Sequence, residues 1–249
     1  MIIGIIQARM GSTRLPGKVL KEIDGVPLLL LQIVRVKKAS SLDKIVIATS
    51  TLPQDDVISR FCHSNNIECF RGSEDDVLSR YYECAKKYEA DVIVRLTSDC
   101  PLSDPEIIDK TVALFQQQKA DYAANTVPLQ TSTFPDGSDV EVFSMEALER
   151  AHRECKDAHD REHVTFYFWK YDNGFKTVQL TQKEDWSKFR FTVDYPEDLE
   201  LIEYVVAQLK QRGSFGHLAE IVEIIESNPE IRDKNSQYYS GIGWNKYSI

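Results

Sequence analysis

No stretch of this 249-residue sequence stays apolar for long. The longest such run, Val26–Leu31, falls far short of the roughly 20 residues a membrane-spanning helix needs, so no transmembrane segment is expected. Basic charge is in deficit, with 30 Lys and Arg against 39 Asp and Glu and a formal net charge of −9. At a sequence pI near 5.1 there is no basic face to release counterions, which excludes general nucleic-acid binding. Cysteine is sparse: Cys62, Cys69, Cys84, Cys100 and Cys155 are odd in number and form no C-x-x-C. No charged n-region and no small-residue cleavage site accompany the first apolar residues. The thiols therefore read as reduced, in a cytoplasmic protein. Repeats and low-complexity tracts are absent. So are the two best-known phosphate loops. There is no G-x-G-x-x-G, and five residues, not four, separate Gly11 from Gly17, with Val19 after Lys18 where a P-loop needs Ser or Thr.

Against this acidic background one basic island stands out. Residues 1–21 contain Arg9, Arg14, Lys18 and Lys21 and no acid. Five of the first six residues are apolar, so Met1–Ile6 reads as a strand buried on both faces. The loop that follows carries Gly11 and Gly17, which let backbone approach a phosphate. It also carries the hydroxyls of Ser12 and Thr13, and cations able to make charge-assisted bonds to phosphate oxygens. Open α/β sheets hold anionic ligands at this edge, and the loop reads as a triphosphate site.

The same loop, R-x-G-S-x-R-x-P-x-K from Arg9 to Lys18, resembles the nucleotide-binding signature of the sugar-acid cytidylyltransferases. These enzymes activate acylneuraminate, KDO and related sugars as CMP conjugates. The branch it resembles most is the spore-coat polysaccharide biosynthesis type, over roughly residues 1–210. The resemblance implies a Rossmann-related, nucleotide-diphospho-sugar transferase-like fold, CTP and a sugar acid as substrates, Mg²⁺ as cofactor, and a homodimer. It places Ala8, Arg9, Gly11, Ser12, Arg14 and Lys18 on the nucleotide.

The remaining pattern supports an α/β class. Strands at 44–49, 67–70 and 91–96 alternate with helices at 27–39, 55–64, 75–88 and 104–117, the rhythm of parallel strands joined by right-handed crossovers. The expected architecture is one domain, 1–249, with a doubly wound, mostly parallel sheet. A small insertion near 127–175 would cap the site and pair subunits, and a tail runs from 228 to 249. The second half is less regular. Strands are expected at 121–126, 139–143, 175–180 and 189–193, helices at 145–155, 196–211 and 217–226, and a mobile loop at 127–138. An aromatic helix at 160–171 reads equally as a subunit interface or as core.

Asp99 and Asp194 each lie just past a strand end. Neither is needed as a helix cap, because Asp104 precedes Pro105 and Tyr195 precedes Pro196. Two uncommitted carboxylates beside a cationic loop suit Mg²⁺, and the family carries metal-binding aspartates in these contexts. Arg9, Arg14, Lys18, Asp99 and Asp194 are therefore the expected catalytic set. The resemblance brings Arg71 and Ser73 toward the base and ribose, although Ser73 with Asp76 also reads as a capped helix start. Asp139 and Glu141, two apart and so on one face of a strand, face the sugar by the same resemblance. So does Glu162 in Arg161-Glu162-His163, where dimer contact and local structure are equal alternatives. Cys155, His159 and His163 align at i, i+4 and i+8 but lack a fourth ligand for zinc. Other readings are a transferase using another NTP or a sugar-phosphate acceptor, a glycosyltransferase, which the missing D-x-D disfavours, and a catalytically silent nucleotide-binding subunit.

Overall fold

The computed structural model describes residues 1–238. In chain order the elements are β1 (Ile2–Gln7), β2 (Glu22–Ile23), β3 (Val26–Pro27), α1 (Leu28–Val36), β4 (Lys44–Ser50), α2 (Asp56–Ser64), β5 (Glu68–Gly72), α3 (Val77–Lys87), β6 (Val92–Thr97), α4 (Pro105–Gln118), β7 (Tyr122–Ala124), β8 (Glu141–Ser144), α5 (Met145–Glu154), α6 (Ala158–His163), α7 (Phe166–Trp169), β9 (Thr177–Gln179), α8 (Pro196–Arg212), α9 (Leu218–Glu226) and α10 (Pro229–Asp233). Short β2 and β3 form their own ribbon, and the others make one sheet in the order β5-β4-β1-β6-β8-β7-β9. Only β8 runs against its neighbours. The sheet is mostly parallel, as the alternating first half implies.

β1 sits between two parallel neighbours, paired along its length with β4 and β6. Alternate residues therefore go to opposite faces. Ile6 packs with Leu29, Ile33, Ile108 and Ile202 in one core, while Ile3 and Ile5 pack with Leu78, Tyr81 and Phe143 in the other. A strand apolar on both faces needs helices on both sides, and the alternation supplies them. Asp104 caps α4 by accepting from the Glu106 amide at 2.9 Å, with Pro105 in the first turn, as its sequence position requires.

The second half departs from expectation at four places. Within the stretch read as an insertion, β8 enters the main sheet beside β6 and 158–169 reaches the site. The aromatic helix is two short ones, broken at Val164, whose φ of 60° is rare for a β-branched residue. Phe168 stacks on Tyr122 and Phe143 at 5.5 and 5.3 Å, so the core reading holds for it, whereas Tyr171 stays exposed. The segment 127–138 is pinned, with Phe134 buried and Ser138 accepting from Asn125. Phe189–Val193 makes an isolated bridge to Asp136 instead of a strand. Of the tail, Asn228 caps α10 and Tyr238 stacks on Tyr195 at 3.7 Å; Tyr239, Trp244 and Tyr247 lie outside the described residues.

Gly137 lets two backbone segments meet beside the site. Its φ is 107°, and a Cβ there would lie 2.5 Å from the Thr192 nitrogen and 2.6 Å from the Phe191 carbonyl carbon. Backbone cannot yield as a side-chain tip can. Gly137→Ala is expected to cost about 1–3 kcal/mol, read as a lowered thermal midpoint. An unchanged midpoint would contradict this packing.

Candidate active site

β1 and β6 end together, Gln7 opposite Thr97, so the loop after β1 and Asp99 after β6 leave the sheet side by side. The loop closes where the Gly17 amide donates to the Met10 carbonyl at 3.2 Å. Gly17, at φ 67°, then turns the chain so that Lys18 points inward. The Lys18 Nζ donates to Asp99 Oδ2 at 3.0 Å, Asp194 Oδ1 at 2.9 Å and the Val193 carbonyl at 2.8 Å. Arg14 pairs with the same Asp194 oxygen at 2.7 Å. Burial alone would lower the Lys18 pKa, but Asp99 and Asp194 outweigh it and raise it above the ordinary value. Likewise burial would raise Asp99, and Lys18 holds it well below the usual carboxylate range.

Arg190 supports this cluster from beneath. It is buried and bonds Asp136, Asp194 and Asp198. Asp198, fully buried, accepts from the Asp194 and Tyr195 amides at 2.8 and 2.9 Å. It therefore serves the start of α8 and leaves the Asp194 carboxylate to the cations. Burial and the neighbouring Asp139 push Asp136 up to about 7, against the pull of Arg190.

These groups line one cavity of about 480 Å³. The structure brings Ala8, Arg9, Gly11, Ser12, Arg14, Lys18, Asp99, Asp139, Glu141, Glu162 and Asp194 together around it. It does not bring Arg71 or Ser73. Arg71 turns away to the Ser50 and Leu52 carbonyls and to Asp56. Ser73 accepts from the Asp76 amide, and Asp76 caps α3 in its place. The two acids expected to face a sugar are already engaged: Glu141 by Arg95 and the Tyr122 hydroxyl, Asp139 by Thr126 and the Gly137 amide. In Arg161-Glu162-His163 the roles divide. Arg161 is structural, tying Asp76 to the His152 and Cys155 carbonyls. Glu162 lies 4.0 Å from Arg9, and both Glu162 and His163 face the cavity. Sequence reasoning did not single out Gln7, Arg80, Arg95 or Arg190 as site residues. The available signal for Arg95 and Arg190 was a charge set inside an otherwise apolar run.

The three oxygens around the Lys18 ammonium form an all-oxygen cradle for a cation, the ligand type a hard divalent ion takes. Asp99 and Asp194 thus fit Mg²⁺ by donor chemistry. Of the nitrogen and sulfur donors, His163 stacks on Phe166 at 4.4 Å and touches His159, the Cys155 thiol turns to the Asp157 carbonyl, and the Cys100 thiol, which lines the cavity, lies 3.7 Å from an oxygen of Asp99 and of Asp139.

Burial, with His159 and nearby cations adding to it, pulls the His163 pKa from 6.5 down to about 3. The folded chain then keeps His163 neutral where the unfolded chain protonates it. Its contribution is fully present above pH 6.5 and is lost as pH falls toward 3. Replacing it with Gln is expected to flatten the loss of stability between pH 6.5 and 5 by about 1 kcal/mol. Denaturant midpoints across that range check this, and parallel pH profiles for both proteins would refute it.

Comparison with known proteins agrees with the geometry. The chain is 33% identical over 238 residues to the Bacillus subtilis spore coat polysaccharide biosynthesis protein SpsF, covering 92% of this chain and 95% of that one. A cytidylyltransferase structure from Leptospira borgpetersenii superposes with a TM-score of 0.84 at 34% identity, over 93% of this chain and 96% of that one. A CMP:2-keto-3-deoxy-manno-octonic acid synthetase complexed with CTP shares the fold, with a TM-score of 0.60 at 16% identity over 83% and 98% of the two chains. The cytidylyltransferase family model matches residues 3–224. That match over most of the chain, in a fold where a cationic loop meets Asp99 and Asp194, shows that the chain belongs to the cytidylyltransferase family, among the nucleotidyltransferases.

Proposed function

We propose that this protein transfers CMP from CTP to a sugar acid, releasing pyrophosphate, for cell-surface polysaccharide synthesis in the cytoplasm. The observation that carries this reading is the meeting of Lys18 and Arg14 with Asp99 and Asp194 at the carboxyl edge of the sheet. The synthetase complexed with CTP supports the choice of CTP and a sugar acid, and the SpsF relative supports polysaccharide synthesis. The five unpaired cysteines suit a reducing compartment.

Arg9, Arg14 and Lys18 would bind the triphosphate and neutralise charge on the leaving pyrophosphate. Held by Asp99 and Asp194, Mg²⁺ would supply charge neutralisation at the phosphates and acidify the attacking hydroxyl. Lys18 would turn its ammonium to phosphate oxygens, and Arg190, bonded by three aspartates, would keep Asp194 aimed. Glu162, His163, Phe166 and Trp169 wall the side left for the acceptor. Catalysis of this kind is positioning and charge stabilisation. A homodimer is part of the proposal, drawn from the aromatic content of 160–171, where Tyr171 is exposed, and light scattering in solution tests it.

Titration with CTP, UTP, ATP and GTP, with and without Mg²⁺, on wild type and Asp99→Asn tests the nucleotide half. Mg²⁺-dependent binding selective for CTP and weakened by the substitution is expected; equal binding of all four would refute the reading. Lys18→Ala is expected to lose about 10²–10³ in turnover while remaining folded, because Arg14 and Arg190 still neutralise Asp194. Pyrophosphate release, with a melting curve as the folding control, measures this. Near-normal turnover would remove the loop from the chemistry.

A further inference from the structure

Arg14 has two partners among the described residues. Its Nη2 meets Asp194 Oδ1 at 2.7 Å. Its guanidinium lies over the ring of Tyr195, 5.2 Å from the centroid, within the range of a cation–π contact. A ring holds a guanidinium by its flat face, and the N–H donors lie in the plane and point outward. Asp194 uses one side of that edge, and the rest is left to a ligand. Arg14 is partly exposed, so a ligand can reach it.

Tyr195 stands at the N-cap of α8, where its amide donates to Asp198 Oδ2 at 2.9 Å. That bond fixes the backbone and leaves the ring to turn. Tyr238 fixes the ring, stacked on it with centroids 3.7 Å apart and planes 2° from parallel. Stacking this close leaves no room for a second group between the planes, so Arg14 uses the other face of Tyr195. Tyr238 is itself tied to α8. Its hydroxyl donates to Glu197 Oε2 at 3.4 Å, and its amide donates to the Asn235 carbonyl at 2.9 Å. Asn235 is buried and donates in turn to Asp198, and Lys234 pairs with Glu200. Residues 234–238 therefore grip the first turns of α8. Neither tyrosine belongs to a hydrophobic core cluster, so two rings lie face to face where core packing does not call for them, against the phosphate-binding loop.

We propose that Tyr238 is a positioning residue for the triphosphate. The segment after α10 holds the Tyr195 ring as a platform, and the platform presents the Arg14 donors to the phosphates. The inference rests on the cytidylyl-transfer reading and adds the residues through which the C-terminal part of the chain acts on its first loop. Both tyrosines act through Arg14. The platform works by ring faces, so it needs the Tyr238 ring and not the hydroxyl.

Titration of the full chain with CTP and Mg²⁺ tests this on wild type, Tyr238→Phe, Tyr238→Leu, Arg14→Ala and the double variant Arg14→Ala/Tyr238→Leu. Tyr238→Leu should weaken CTP by about fivefold. Tyr238→Phe keeps the ring and should bind within about twofold of wild type. Once Arg14 is gone, Tyr238→Leu should cost less than about twofold, because the residue it acts through is missing. A merely structural role would give the same loss with Arg14 or without it. If Tyr238→Leu does not fold, Tyr195→Leu takes its place in the same cycle. A folded Tyr238→Leu with wild-type affinity, a loss undiminished in the Arg14→Ala background, or a Tyr238→Phe as weak as Tyr238→Leu overturns this assignment and leaves the cytidylyl-transfer reading standing. A wild type that does not bind CTP overturns that reading and this assignment with it.

Discussion

The site is held by one ammonium group. Lys18 is shared among Asp99, Asp194 and the Val193 carbonyl, and these partners belong to segments 81 and 176 positions away in sequence. Coulomb attraction in a partly dry setting is strong only when the geometry is good. Here the sheet supplies it, because the ends of β1 and β6 are in register. Removing one member of a buried charge pair typically costs about 3–5 kcal/mol. The arrangement lessens that cost by giving Asp194 two more cations, Arg14 and Arg190. Asp194 therefore keeps cationic partners whatever Lys18 does, whereas Lys18 is the one ion-pair partner of Asp99 among the described residues.

Charge in the cavity is therefore distributed by function. Arg190 is fully engaged and buried, and serves as framework. Arg9 and Arg14 are each partly exposed, with side-chain exposures of 45% and 36%, so a ligand can compete for them. Asp198 carries the capping duty that would otherwise fall to Asp194. The net acidity of the chain does not weaken the anion site, because what a phosphate meets is set within a Debye length of about 8–10 Å.

How much of this could be read in advance follows from how local each signal is. β1 and its loop were legible because an apolar run and a basic island are contiguous. Asp99 was legible as a residue just past a strand end, and Asp194 as one left free of the capping role, although the segment before it forms an isolated bridge and not the expected strand. The outward turn of Arg71 was not legible, since its partners are the Ser50 and Leu52 carbonyls and Asp56, contacts made across β4 and β5. The break at Val164 was hidden for a related reason. A run of aromatics has good helical character, and tertiary burial of Val164 and Phe168 selects the φ of 60° against local preference. Phe189–Val193 has the composition of a strand, yet its backbone is used to grip Asp136 and Asp99, contacts that no periodicity announces.

Asn235 closes the network at the far end of the described chain. Its side-chain amide donates to the Arg190 carbonyl and to Asp198, at 3.2 and 2.8 Å. These partners lie far beyond Lys18 in the sequence. A nascent polypeptide that has emerged only as far as residue 189 offers Lys18 Asp99 alone, and Asp198 and Arg190 gain their bonds from Asn235 only after a further 37 and 45 residues. The cluster is thus completed by late segments acting on an early loop, and a chain stalled between them holds the loop without its supports.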